Sequence, residues 1–136
     1  MTLFRLLRRD KRGVAVIEIA IVLPVLILFI YGIFQIGILY QANAGMQHAL
    51  GEGARFATLC LSPDPCENPT EAQVQTRISD NVFGTNPGIF AVPLPTTING
   101  TMTLAVNYSQ PMNFLLFPGP TVNLTRRKVV YLAPTT

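Results

Sequence analysis

The sequence predicts an α+β chain. A long N-terminal helix, first transmembrane and then stalk-like, leads into a small head with a short helix and an antiparallel sheet of two to four strands. Three observations carry this. Val14 to Leu39 is a 26-residue apolar run interrupted by one ionisable residue, Glu18, and one strongly polar one, Gln35. Thr70-Glu71-Ala72-Gln73 has the form of a capping box that opens a short helix. Asn99-Gly100 stands directly before an alternating stretch, Thr101 to Ser109, which is the signal of a hairpin turn entering a strand. The chain divides accordingly into a basic leader (1–13), a spanning helix (14–39), a continuation of that helix (40–60) and the head (61–136).

Composition supports the first element. Of 136 residues, 49% are hydrophobic and 12% charged, with a mean hydropathy of +0.39. Soluble domains carry about 25% charged residues, so half that fraction points to a chain in or on a membrane. The formal charge of +3 is unevenly placed. Residues 1–13 hold five cations against Asp10, a local +4, whereas residues 14–136 hold five cations against six carboxylates, a local −1. Beyond the leader the chain is not basic, and composition gives no case for nucleic-acid binding.

At 1.5 Å per residue the apolar run is about 39 Å long, enough to cross a core of about 30 Å with some tilt. The cations precede it, so the positive-inside rule puts the N-terminus in the cytoplasm and the head outside. A cleaved secretory signal is the competing explanation. Ala42-Asn43-Ala44 matches a small-x-small site, but an apolar region of this length is nearly twice that of a signal peptide. A plain membrane anchor is the other. Pro24, inside the span, removes a backbone donor and predicts a kink.

Glu18 gives the span its chemistry. A carboxylate at mid-bilayer costs about 2.5–3.5 kcal/mol, and less near the interface, where it can snorkel. A specific role needs a cation in the same layer, and the intact chain offers none beyond Gly13 before Arg55. Cleavage after Gly13 would supply one, the α-amino group of Val14, one turn from Glu18. Within a chain that pairing is poorly directed. Between helices shifted by about one turn, the amine of one can meet the carboxylate of the next and fix their register.

Arg12-Gly13 followed by Val14-Ala15-Val16-Ile17-Glu18 and the long apolar run resembles a prepilin cleavage motif. More specifically, residues 8–37 are similar to the start of TadE-like proteins, pilin-like subunits of the tight-adherence (Tad, Flp-type type IV) pilus system. Leu23-Pro24 and the stretch Leu50-Gly51-Glu52-Gly53-Ala54-Arg55-Phe56-Ala57 also fit that family's pattern, and Val106-Asn107-Tyr108 through Arg126 resembles its closing strands more loosely. Residues 61–97 carry no resemblance. The resemblance implies cutting after Gly13 by a membrane aspartyl prepilin peptidase on the cytoplasmic face. It also implies a single-pass location in a bacterial inner membrane and partners among other Tad pilin-like subunits, inner-membrane pilus assembly proteins and membrane lipid. Ile19 stands where major Tad pilins usually carry tyrosine, which implies the minor, TadE-like class. The alternative is a permanently anchored periplasmic adaptor of the same machine that never enters a filament.

Beyond the membrane, Ala42, Ala44, Met46, Ala49, Leu50, Ala54, Phe56 and Ala57 form a helical stripe for the head to cover. Gly45, Gly51 and Gly53 weaken the helix by roughly 1 kcal/mol each but permit close packing. The sequence leaves open a local melt around Gly51–Gly53. His48 and Glu52 share a face, yet no third ligand sits at suitable spacing for a metal. Glu52 and Arg55 are spaced for a surface pair. Cys60 and Cys66 bracket a short Pro-rich loop outside the cytoplasm and predict a disulfide tying the helix end to the head.

In the head, Val74, Ile78 and Val82 fall on one helix face. Asn86-Pro87-Gly88 is a turn. Pro93 and Pro95 make 89–97 an irregular or edge segment. Met102, Leu104, Val106 and Tyr108 share one strand face. Pro111 to Pro120 reads as a loop whose run Met112, Phe114, Leu115, Leu116 and Phe117 predicts a contact surface between heads. Val122 to Leu132 is a final strand with a bulge or bend expected at Arg126–Lys128, a solvated basic run. The three formal glycosylation sequons, at Asn99, Asn107 and Asn123, are chance matches if the resemblance implies a bacterium. With one histidine and no recognisable nucleophile, phosphate-binding or metal motif, the expectation is a protein that is not an enzyme and takes no cofactor or small-molecule substrate.

Overall fold

The computed structural model describes residues 11–62, 66–84, 86–114 and 117–133. Most of the basic leader, the loop 63–65 and the pair Leu115 and Leu116 lie outside the described residues. Helix α1 runs unbroken from Lys11 to Ala57, through Pro24 and through Gly51 and Gly53, so the local melt left open by the sequence is absent. Its first half is rich in Val and Ile, poor helix formers in water. Such a segment would take the same form in hydrocarbon, where every backbone donor must bond within its own segment.

Helix α2 spans Glu71–Asp80 and begins as the sequence predicts. Thr70 is its N-cap: the Gln73 amide donates to Oγ1 of Thr70 and the Thr70 amide donates to the Gln73 side chain. Val74 and Ile78 are fully buried, and Val82 follows half-buried just beyond the helix. Helix α2 and the segment after it pack along α1 at two glycines. A β-carbon on Gly45 would collide with the Phe83 carbonyl, and one on Gly53 with the Ile78 side chain. Two of the three residues that weaken α1 locally, Gly45 and Gly53, admit its neighbour, whereas Gly51 faces open space.

The sheet has four antiparallel strands: β1 (Ile89–Ala91), β2 (Thr96–Ile98), β3 (Thr101–Phe114) and β4 (Phe117–Tyr131). Strand β3 is central. Strand β4 pairs with it along its length, while on the other edge β2 pairs with its start, Ile98 opposite Thr101, and β1 with its middle, Ile89 opposite Ser109. β1 and β2 act as one edge strand broken at Pro93-Leu94-Pro95, as the prolines predict. Asn99 and Gly100 both take positive φ, 50° and 72°, closing the β2–β3 hairpin. On β3, Met102, Leu104, Val106, Tyr108 and Gln110 alternate into the core and face α1. There they meet Ala42, Met46, Ala49, Leu50, Ala54 and Ala57, the small side chains letting the sheet approach the helix closely. Of the predicted stripe, Ala44 instead faces outward and Phe56 is half-buried.

Two expectations are corrected. Pro111 to Pro120 is not a loop: β3 continues to Phe114 and β4 starts at Phe117. Proline is tolerated there because β1 ends its pairing at Ser109 and β4 is an open edge throughout, so the missing N–H groups need no partner. Nor is there a bulge at Arg126–Lys128. The register runs evenly from Thr101 opposite Tyr131 to Pro111 opposite Thr121 and shifts only between Pro111 and Asn113. Arg126 and Lys128 share the helix-facing side with Leu124 and Val130. Their length lets the cations reach solvent, and Arg126 Nε donates to Asn43 Oδ1 at 2.8 Å.

Candidate functional site

From Gly13 to Ile27 every position on α1 is exposed, including Val14, Glu18 and Pro24. The most apolar 18-residue window of the helix has a mean hydropathy of 2.9, and none of it is covered by the protein. A helix apolar on all sides and uncovered needs lipid or other helices around it. Val14 and Glu18 are four residues apart and so share a face, about 6 Å apart along the axis. Among the described residues the ion pairs belong to Glu52, which lies 4.0 Å from Arg55 and 3.9 Å from Arg77; Glu18 enters neither. The expected pair of Glu52 and Arg55 is present, with Arg77 of α2 joining it.

The head does not begin where the apolar run ends. Gln35, inside the predicted span, is only 4% exposed. Its Nε2 donates to the Asn113 carbonyl at 3.2 Å, and its Oε1 accepts from Gln110 Nε2 at 2.9 Å. The Tyr108 hydroxyl completes the chain, donating to Gln110 Oε1 at 2.7 Å. Burial in this apolar setting pushes the Tyr108 phenol up from its usual value, partly offset by a hydrogen bond with the Gly88 backbone. The sequence marks Gln35 only as an interruption of the apolar run. Its partners lie 75 and 78 residues away, beyond the reach of local pattern.

The β3–β4 hairpin carries the predicted contact run. Met112 and Phe114 are half-buried, Phe117 is 56% exposed, and the Phe114 and Phe117 rings pack at 5.2 Å. At the other end of the head, Cys60 and Cys66 are joined in a disulfide, with Cα atoms 5.1 Å apart. The Leu61 amide donates to the Glu67 carbonyl beside it, so the helix end is tied to the head as expected. His48 lies on the α2 side of α1, its Nδ1 3.4 Å from the Asn81 carbonyl and its ring edge-on to Phe83.

No curated protein and no solved structure matches the chain. A family model described as TadE-like protein matches residues 13–55, which begins at Gly13 and takes in the uncovered helix, Gln35 and the glycines that receive α2. Over residues 13–55, most of its long helix, the chain is thus similar to the TadE-like family.

Proposed function

We propose that this protein is a minor pilin-like subunit of a Tad-type type IV pilus, processed by a prepilin peptidase after Gly13 and assembled through α1. The observation that carries this reading is the family match starting at Gly13 on a helix whose positions 13–27 the protein leaves uncovered. Before assembly the helix lies in the inner membrane, N-terminus cytoplasmic and head periplasmic. Removal of the residues up to Gly13 leaves the amine of Val14 as a cation at the depth of Glu18. In a bundle of like helices each Glu18 takes the amine of a neighbour shifted by about a turn. An unpaired carboxylate one turn inside the apolar layer costs less than the about 2.5–3.5 kcal/mol of mid-bilayer, yet enough to favour correct register over slipped arrangements. Ile19 in place of tyrosine supports the minor class. The partners are the peptidase, other pilin-like subunits and the inner-membrane assembly proteins.

Mass spectrometry of sheared, purified pili tests the assembly role. Peptides from residues 66–133 in the pilus fraction, at a small fraction of the major subunit, are the expected result. Confinement of those peptides to the membrane fraction contradicts it and favours a permanently anchored adaptor.

A further inference from the structure

We propose that the open edge of β4, from Thr121 to Tyr131, is a docking edge for an extended, acidic segment of a partner protein, which adds to the sheet as a further strand. The inference uses the head alone and goes beyond the assembly reading of α1. Over this stretch β4 pairs with β3 in even register, Thr121 opposite Pro111 and Tyr131 opposite Thr101. Its other side pairs with no strand among the described residues, and Asn123 and the run Thr125 to Val129 are exposed. Such an edge leaves alternate backbone N–H and C=O groups facing outward without partners. Proteins blunt edges with prolines, bulges, short strands, covering elements or charge. Pro118 and Pro120 lie before this stretch, and the register shift lies beyond its start, between Pro111 and Asn113. Along the stretch itself the device that remains is charge.

That charge is of one sign. Arg126 and Lys128 stand on the helix-facing side of β4 and Arg127 on the outer side, so cations flank the edge on both faces. Asp80 is the last acidic side chain in the sequence, so the sheet itself carries no carboxylate. Arg126 meets only the neutral Asn43, and among the described residues the ion pairs are those of Glu52. Across neighbouring strands, opposite charges stabilise and like charges destabilise. Two copies of β4 joined along this run would set cations against cations, which bars pairing of the edge with itself. A strand with carboxylates at the facing positions reverses the sign. Val129 and Tyr131, 56% and 80% exposed, continue the outer face beyond Arg127 and offer apolar surface. The fitting segment is therefore extended, acidic at its centre and apolar beside it. Its main chain supplies affinity and its side chains supply specificity.

The test mixes the full-length protein, in a neutral detergent, with a short capped peptide in which valine and threonine flank a central run of glutamates. Two comparison peptides carry lysines in place of the glutamates, or methyl groups on the backbone nitrogens. Anisotropy of the labelled peptide reads binding, and hydrogen exchange followed by mass spectrometry reads the amides of β4. The expected result is saturable binding of the glutamate peptide with slowed exchange across residues 121–131, and no binding of either comparison peptide. In the variant Arg127→Glu with Lys128→Glu, affinity for the glutamate peptide should fall roughly tenfold or more. Equal binding of the methylated peptide overturns the proposal, because the contact is then charge alone and no strand is added. Equal binding of the lysine peptide overturns it as well, because the edge is then indifferent to charge. A glutamate peptide that does not bind, or binds without slowing exchange in β4, overturns it in favour of cations that only keep the edge solvated.

Discussion

Gln35 shows what a single polar residue does when a helix must serve two environments. Surrounded by apolar groups alone, its amide would cost free energy; bonded to Gln110 and Asn113, it anchors the head to the apolar half of α1. Replacing Gln35 by Leu leaves Gln110 Nε2 unmet, a buried polar group costing about 1–3 kcal/mol, and removes the hydrogen bond to the carbonyl of exposed Asn113. Gln35→Leu and Gln110→Leu are therefore each expected to destabilise the head, and the double variant to lose less than the sum. Chemical denaturation in detergent followed by near-UV circular dichroism measures the cycle. The Tyr108 phenol adds a pH dependence. Its folded-state pKa is raised above the unfolded value of 10.0, so its contribution is complete below pH 10 and is lost as pH rises through the folded pKa. Thermal midpoints of the native protein should fall between pH 9 and pH 11 more steeply than those of Tyr108→Phe; equal slopes would remove the argument.

At the scale of elements, the glycines of α1 divide by what faces them. Gly51 has open space where a β-carbon would go, and Gly51→Ala should stabilise the helix by roughly 0.5–1 kcal/mol. Gly53 faces Ile78, and Gly53→Ala should cost about 1–3 kcal/mol through overpacking, offset in part by the same propensity gain. Opposite shifts of the thermal midpoint are the expected outcome. The disulfide is a second element-level device. Closing the loop from Cys60 to Cys66 is worth roughly 2 kcal/mol in the chain-entropy account, and Cys60→Ser with Cys66→Ser should lose about that much. Local rules made these elements legible in the sequence: the capping box at Thr70, the Asn99-Gly100 turn, the alternation of β3 and the broken edge at Pro93 and Pro95 each depend on neighbours within a few residues. The hairpin across residues 111–120 was not legible, because proline reads as a strand breaker unless its strand is known to lie at an edge. The apparent phase slip at Arg126–Lys128 misled for a related reason, since long cationic side chains hold core-facing positions while their charges reach water.

At the scale of the whole molecule, one helix does two jobs along its length. Its first half stays bare for lipid or neighbouring helices, and its second half is the spine on which α2 and the sheet fold. The division into span and head was legible in hydropathy, but the overlap between them at Gln35 required the fold, because it joins residues far apart in sequence. In the proposed filament the bare half carries the assembly information, and Glu18→Ala subunits are expected to reach the membrane normally yet be depleted at least several-fold from sheared pili, measured by quantitative peptide counting. That role depends on a free amine at Val14. The measurement that tests it most directly is the N-terminal residue of the protein extracted from membranes of cells that make a prepilin peptidase. The account predicts that the recovered chain begins at Val14, and recovery of a chain still carrying residues upstream of Gly13 would contradict it.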